Sequence, residues 1–157
     1  MEKKDFFGLI KKDQYQIFIF SSPVPLPFSI AAHSWIVINI KGNLKRWEIL
    51  FWPNQCKTSW EHLHLNVKLP WEGWEVLPFL KLNFSSKLIG KIEGKKGSLA
   101  EKMTSWIDKN AKIYPYSVKY HAFPGPNSNT FIQWILNKFP ESGLKLQWNA
   151  FGKGYNI

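Results

Sequence analysis

The sequence contains very little cysteine and arginine and has no long hydrophobic run. Cys56 is the only cysteine among 157 residues, which excludes an intrachain disulfide and a multi-cysteine zinc site. No apolar stretch approaches the ~20 residues that a transmembrane helix needs. The apolar stretch at residues 6–10 is too short for a secretory signal. We therefore predict a cytoplasmic protein with no transmembrane segment.

Positive charge dominates the sequence. The net charge is +10 and the isoelectric point lies near 9.7, so the chain attracts polyanions and anionic surfaces. Of the 21 basic residues, however, only Arg46 is an arginine, and bidentate recognition of bases and phosphates favours arginine over lysine. This composition argues against nucleic acid as a partner and leaves peripheral contact with an anionic membrane open.

Hydrophobic patterning predicts a single α+β domain spanning residues 1–157. Hydrophobic residues make up 45% of the chain, enough for a sizeable core. Alternating or β-branched stretches predict strands, and a capping box together with an apolar stripe predicts two helices. The strands are predicted at residues 15–20, 33–40, 45–52, 61–67, 88–93, 116–121 and 144–148, and the helices at 98–110 and 129–139. We expect an antiparallel sheet packed against about two helices.

The second and third predicted strands form a hairpin, and its register determines which side chains face each other. A turn centred on Gly42-Asn43 places His33 opposite Trp52. Glu48 then shares the face of His33 but is offset by four residues, or about 13 Å, too far to orient the imidazole. Asn54 lies diagonal to His33 in this register and is the better candidate for that role.

Residues 124–131 read Pro-Gly-Pro-Asn-Ser-Asn-Thr-Phe, a rigid turn followed by the start of an amphipathic helix. Unpaired backbone N–H groups at a helix start can hold an anion or oxyanion. Ser128 would lie at this position, with Asn127 or Ser128 as the N-cap. Ordinary helix capping also explains these residue types, because Asn and Ser are favoured N-caps.

Together with Tyr114-Pro115-Tyr116 and Gly152-Lys153, this motif resembles the signature of an uncharacterised bacterial family in which a histidine precedes an early strand. His33-Ser34-Trp35 matches that histidine. The chain is more distantly similar to permuted papain-like domains, such as NlpC-type peptidases and lecithin–retinol acyltransferase relatives. Their nucleophile lies in Asn-Cys-x-x-Phe, and residues 127–131 have this form with serine in place of cysteine.

The resemblance implies a permuted papain-like fold and a hydrolase or acyltransferase acting on an amide or ester. Ser128 would be the nucleophile and His33 the general base, with a small-molecule, peptide or lipid substrate and no cofactor. Asn54 is the candidate third member, and His121 could replace His33. The predicted binding residues are Asn127, Asn129, Thr130, Trp35 and Trp52. The alternative is a non-catalytic module that binds a glycan, peptide or lipid in the same cleft.

Two other groups of residues were candidates for chemistry. His62 and His64 have a spacing that can bind metal from one strand face, with His33 or His121 as a third ligand. A partly exposed polar strand face explains the same pattern, and no metal site is predicted. Cys56 is a possible independent nucleophile, but the sequence around it shows no helix pattern.

Overall fold

An antiparallel sheet of six strands forms the centre of the fold. The structure, a computed structural model, describes residues 1–25, 30–77, 82, 83 and 85–156. The strands are β1 Tyr15–Pro23, β2 Ala32–Ile40, β3 Asn43–Ile49, β4 Ser59–Trp60, β5 Leu63–Leu65, β6 Glu75–Leu77, β7 Leu82–Asn83 and β8 Lys87–Gly94. The large sheet has the order β4-β5-β3-β2-β1-β8, and a separate two-stranded sheet pairs β6 with β7.

Two helices cover one face of the large sheet. They are α2 (Leu99–Asn110) and α3 (Ser128–Lys138). Alternation along the strands turns isoleucines of β1 and β2 towards both helices, because successive strand side chains point to opposite faces. The resulting core includes Ile17, Ile19, Ile36, Ile38, Trp47, Met103, Ile107, Phe131, Ile132 and Ile135.

The opposite face of the sheet is aromatic and carries a short helix, α1 (Lys3–Gly8). Phe6 of α1 packs against Phe18, Phe20, Trp35 and Val37, which are all buried. His33 shares this face because it lies two residues from Trp35 on β2. The side chain of His33 and the helix α3 therefore belong to opposite faces of the sheet and meet only at its end.

The α+β class and the antiparallel sheet are confirmed. Two predicted strands are wrong, and the sequence pattern missed the helix α1. Residues 116–118 form a turn with local hydrogen bonds, such as Ser117 N–H to Tyr114 O, and neither residues 119–121 nor residues 144–148 form a strand. The predicted strand at residues 61–67 is limited to Leu63–Leu65.

The hairpin between β2 and β3 has a different register from the predicted one. Ile40 pairs with Asn43, so the turn residues are Lys41 and Gly42, with φ of 52° and 92°. The buried side chain of Asn39 accepts a hydrogen bond from Gly42 N–H at 2.7 Å and so stabilises this turn. Continuing the register places Glu48 opposite Trp35, two residues from the position opposite His33 instead of four.

Candidate functional site

A large apolar cleft lies at the end of the sheet, where β2 begins and α3 begins. Its volume is about 840 Å³, and it opens to solvent. The polar residues that line it are His33 from β2 and Asn127, Ser128 and Asn129 from the start of α3. Half of the remaining lining residues are aromatic, namely Phe51, Trp52, Trp74, Tyr120, Phe123 and Phe151.

His33 is held by contacts on several sides. Its ring lies 4.8 Å from Trp74 and 5.9 Å from Trp35, measured between centroids. Nε2 lies 3.4 Å from Glu48 Oε2, at the long end of the hydrogen-bond range. This contact is possible because the observed register moves Glu48 towards His33, and diagonal neighbours on adjacent strands can touch.

Glu48 is also paired with Arg46, and both side chains are almost fully buried. Arg46 Nη2 donates to Glu48 Oε2 at 2.7 Å, and Nη1 donates to the carbonyl oxygens of Leu69 and Glu72. The guanidinium also lies 4.3 Å from the centre of the Trp35 ring. The only arginine of the chain thus neutralises a buried carboxylate, a task suited to its fixed array of donors.

Burial and the neighbouring charges together determine the protonation state of His33. Burial alone would raise the pKa of Glu48, but Arg46 and His33 outweigh that effect and lower the pKa to about 2. Burial lowers the pKa of His33, and the charges of Arg46 and Lys68 act in the same direction, against the opposing effect of Glu48. At neutral pH, Glu48 is therefore charged and His33 is neutral.

A neutral histidine that donates from Nε2 carries a free lone pair on Nδ1. No hydrogen-bond partner of His33 Nδ1 occurs in the described part of the chain. The fully enclosed polar atoms without a partner include Glu48 Oε1 and Asn129 Oδ1, but not His33 Nδ1. With the proton on Nε2, Nδ1 is therefore left as a hydrogen-bond acceptor on a residue that lines the cleft.

Asn127 is the N-cap of α3. Its Oδ1 accepts from the backbone N–H groups of Asn129 and Thr130, and the Thr130 hydroxyl accepts from Asn127 N–H. This reciprocal arrangement is a capping box. The Asn127 amide group donates to the carbonyls of Ala122 and Phe151, so the same side chain also holds two other segments of the cleft wall.

Asn129 connects α3 with β2. Its amide group donates to Ala32 O and Phe151 O, each at 2.8 Å. The hydroxyl of Thr130 donates to Gly152 O at 2.8 Å. Most side-chain polar groups of the predicted binding residues Asn127, Asn129 and Thr130 therefore form hydrogen bonds within the protein. These hydrogen bonds hold the cleft wall in place.

Ser128 and His33 line the same cleft but do not form a hydrogen bond. Ser128 occupies the first position of α3 and is 3% exposed. Its hydroxyl has no hydrogen-bond partner among the residues that the structure describes, and it is absent from the fully enclosed polar atoms. Among the described residues, a hydroxyl from α3 and an imidazole nitrogen from β2 therefore belong to the cleft lining and have no hydrogen-bond partner.

The family comparison covers nearly the whole chain. A family model described as "protein of unknown function (DUF3750)" matches residues 14–155. The chain belongs to the DUF3750 family. The prediction of an uncharacterised family is thereby confirmed. No curated protein and no solved structure matches the chain. Membership of DUF3750 thus names the family without supplying an activity, and the papain-like relationship stays a hypothesis.

In this DUF3750 chain, the other predicted catalytic residues lie apart from His33. Asn54 is exposed in the loop after β3 and forms hydrogen bonds with Glu61, so it is not diagonal to His33 as predicted. β3 ends at Ile49, before that position is reached. His121 is exposed, and its backbone N–H donates to Pro126 O. Glu48, set aside because of the predicted register, is the residue that contacts His33.

The two predicted tryptophans of the site have different surroundings. Trp52 lines the cleft and is 67% exposed. Trp35 is buried beneath His33, and its indole Nε1 donates to Pro70 O. The other aromatic residues of the cleft wall, such as Phe51 and Phe151, lie in loops without a periodic pattern. Only their apolar character in otherwise polar loops could have indicated a binding surface.

The remaining candidates do not form a metal site. His62 Nδ1 lies 2.9 Å from Leu50 O, whereas His64 lies between Ser59 Oγ and Trp52 O. Among the described residues, no group of three or more His, Cys, Asp or Glu could hold a metal ion. Cys56 is exposed beside Ser59 and does not line the cleft.

Proposed function

We propose that the cleft binds a small amphipathic molecule. The observation that carries this proposal is the cleft itself, since a volume of about 840 Å³ lies within the range of sites for small ligands. Its aromatic wall suits an apolar body, and Trp52 and Trp74 provide large rigid contact surfaces. His33, Asn127, Ser128 and Asn129 bring polar side chains to the cleft from the starts of β2 and α3.

The chemistry of these polar side chains favours a ligand with a hydrogen-bond donor. Nδ1 of neutral His33 can accept a hydrogen bond but cannot donate one while Nε2–H faces Glu48. The hydroxyl of Ser128, which lines the same cleft, can accept or donate a hydrogen bond. A hydroxyl or amide N–H at the end of an apolar chain satisfies His33, whereas an ether or ester oxygen leaves Nδ1 without a partner.

Dodecanol and its methyl ether test this proposal because only dodecanol has a hydrogen-bond donor. We expect dodecanol to change tryptophan fluorescence and to bind roughly threefold to tenfold more tightly than the ether, the effect of one hydrogen bond. Ala122→Trp should weaken both ligands at least roughly tenfold, because Ala122 lines the cleft and a large side chain there fills it.

The matched control is Lys109→Trp, which adds the same fluorophore at an exposed position of α2 outside the cleft. It should bind dodecanol like the wild-type protein. Equal binding of dodecanol by Ala122→Trp and Lys109→Trp would contradict the proposal. Equal affinity for the alcohol and the ether would contradict the role of His33.

A second candidate function is hydrolysis of an ester or amide, and one observation favours it. The start of α3 brings a hydroxyl to the cleft, and β2 brings an imidazole whose Nε2 faces a carboxylate. This is the combination of nucleophile, base and orienting group found in acyl transfer. Ser128 Oγ would attack the acyl carbon while its proton moves to His33 Nδ1 and then to the leaving group. Water would release the acyl group.

Ser128→Ala tests the second candidate. If the protein hydrolyses p-nitrophenyl laurate, we expect the variant to lose at least about a thousandfold in kcat, because the attacking hydroxyl is removed. Binding of dodecanol should persist, since the Ser128 side chain does not cap α3. Ser105→Ala on α2 is the control and should retain full turnover. Unchanged hydrolysis in Ser128→Ala would remove the catalytic hypothesis while leaving the binding proposal intact.

A further inference from the structure

Exposed apolar side chains surround the mouth of the cleft. They are Ile30, Phe51, Trp52, Phe123, Phe151 and Trp148, with between 37% and 76% of each residue exposed, and we call them the apolar rim. The first five line the cleft. Trp148 does not line it but adjoins it, because the next residue, Asn149, donates from its side chain to Ile30 O.

Aromatic contacts join neighbouring members of the apolar rim. Phe51 and Trp52 lie 4.8 Å apart, and Phe123 lies 6.3 Å from Phe151, measured between ring centroids. Isolated exposed apolar residues are common on soluble proteins, but a contiguous exposed patch marks an interaction surface. Tryptophan is also enriched where a protein meets the boundary between lipid and water.

Three exposed lysines lie close in sequence to residues of the cleft or the apolar rim. Lys57 lies in the loop that follows Trp52, Lys119 directly precedes Tyr120 of the cleft, and Lys145 precedes Trp148 by three residues. The chain as a whole carries a net charge of +10. An anionic surface would attract this charge, whereas a second copy of the same protein would be repelled by it.

We infer that the apolar rim docks on an anionic lipid bilayer, so that the cleft receives its ligand from the membrane. The second part rests on the proposed function, whereas the docking itself rests on the apolar rim and the lysines. The rim side chains enter the interfacial layer, and the lysines remain at the level of the headgroups. No helix in the described part of the chain is long and apolar enough to cross a membrane, so contact through the rim is peripheral.

Cosedimentation with vesicles tests the docking. We expect the protein to bind vesicles of phosphatidylcholine mixed with phosphatidylglycerol, and to bind phosphatidylcholine alone far more weakly. Trp148→Ala should reduce the affinity roughly tenfold, because a large apolar side chain no longer enters the interface. Lys119→Gln should reduce it about fivefold, and added salt should weaken binding further.

Ile113→Ala is the matched control, because Ile113 is 68% exposed but lies outside the apolar rim. It should bind vesicles like the wild-type protein. Absence of vesicle binding, equal binding to both vesicle types, or equal losses in Trp148→Ala and Ile113→Ala would overturn the inference. Dimerisation that Trp148→Ala abolishes would also overturn it, since a second copy would then cover the rim.

Two variants separate this inference from the proposed function. Trp148→Ala should keep full affinity for dodecanol, because Trp148 does not line the cleft. Ala122→Trp should lose dodecanol but still bind vesicles. If vesicles bind and dodecanol does not, the cleft proposal fails and the docking stands. If dodecanol binds and vesicles do not, the docking fails and the cleft proposal stands.

Discussion

Glu48→Gln is expected to lower the free energy of unfolding by about 3 kcal/mol, a large effect for a substitution that preserves shape. The reason is that Arg46 would remain buried without its counter-charge, and breaking one partner of a buried ion pair is costly. For a domain of this size, the melting temperature should fall by roughly 10 °C. Thermal and urea denaturation followed by circular dichroism measure both quantities.

The control for this variant is Glu61→Gln, which removes a carboxylate from an exposed position. Its stability should change by less than about 0.5 kcal/mol. Similar stabilities of the two variants would show that the Arg46–Glu48 pair does not organise the fold.

The network of Arg46, Glu48 and His33 also determines how the stability of the protein depends on pH. A carboxyl group whose pKa falls from 4.5 to about 2 on folding stabilises the protein above pH 4.5, and this contribution disappears as the pH falls towards 2. The contribution of Glu48 is about 3 kcal/mol. In Glu48→Gln, the acid-induced loss of stability should therefore be smaller than in the wild-type protein by a similar amount.

Asn127→Asp should also lower the free energy of unfolding by about 3 kcal/mol, although aspartate is as good an N-cap as asparagine. The carboxylate can still accept from Asn129 and Thr130, but it cannot donate to the carbonyls of Ala122 and Phe151. Each carbonyl would lose a partner and face a negative charge. Chemical denaturation measures this loss, and weaker binding of dodecanol should accompany it because the cleft segment at Ala122 is released.

Asn137→Asp is the matched control, since Asn137 is exposed near the end of the same helix and bonds only to Gln133 among the residues described. Asn137→Asp should lower the free energy of unfolding by less than about 1 kcal/mol.

A second variant, Gly152→Ala, tests the packing of Asn127 by changing a residue that lies against it. Gly152 has φ of 90°, and a Cβ there would overlap the Asn127 amide group. If Gly152→Ala is as stable as the wild-type protein and binds dodecanol equally well, the proposed role of Asn127 in holding the cleft wall is contradicted.

The sequence predicted those parts of the fold in which local pattern and tertiary packing agree. Ser98 caps α2 as expected, and the aromatic and β-branched run at β1 forms a central strand. The motif at residues 124–131 also begins a helix as predicted, with Asn127 as its N-cap. Each of these features depends on neighbouring residues in the chain, which a pattern can reveal.

The site was less predictable because it depends on register and on loops. The Lys41-Gly42 turn is stabilised by the side chain of Asn39, which also bonds to Lys11 O and Gln16 Oε1. These contacts involve residues far from the turn in the sequence. They fix the register of β2 and β3, and that register places Glu48 near His33. Lys41 has a positive φ, which is unfavourable for a residue other than glycine. The turn nevertheless forms because the hydrogen bonds of Asn39 stabilise it.

The most direct test of the central claim is a crystal structure of the protein with dodecanol. The account predicts that the alcohol oxygen lies about 3 Å from His33 Nδ1. The alkyl chain of dodecanol should extend from there to the apolar rim and end between Phe51, Trp52 and Phe123. A dodecanol molecule bound outside the cleft would contradict the account. A molecule bound in the cleft with its hydroxyl at the rim and its chain against His33 would contradict it equally.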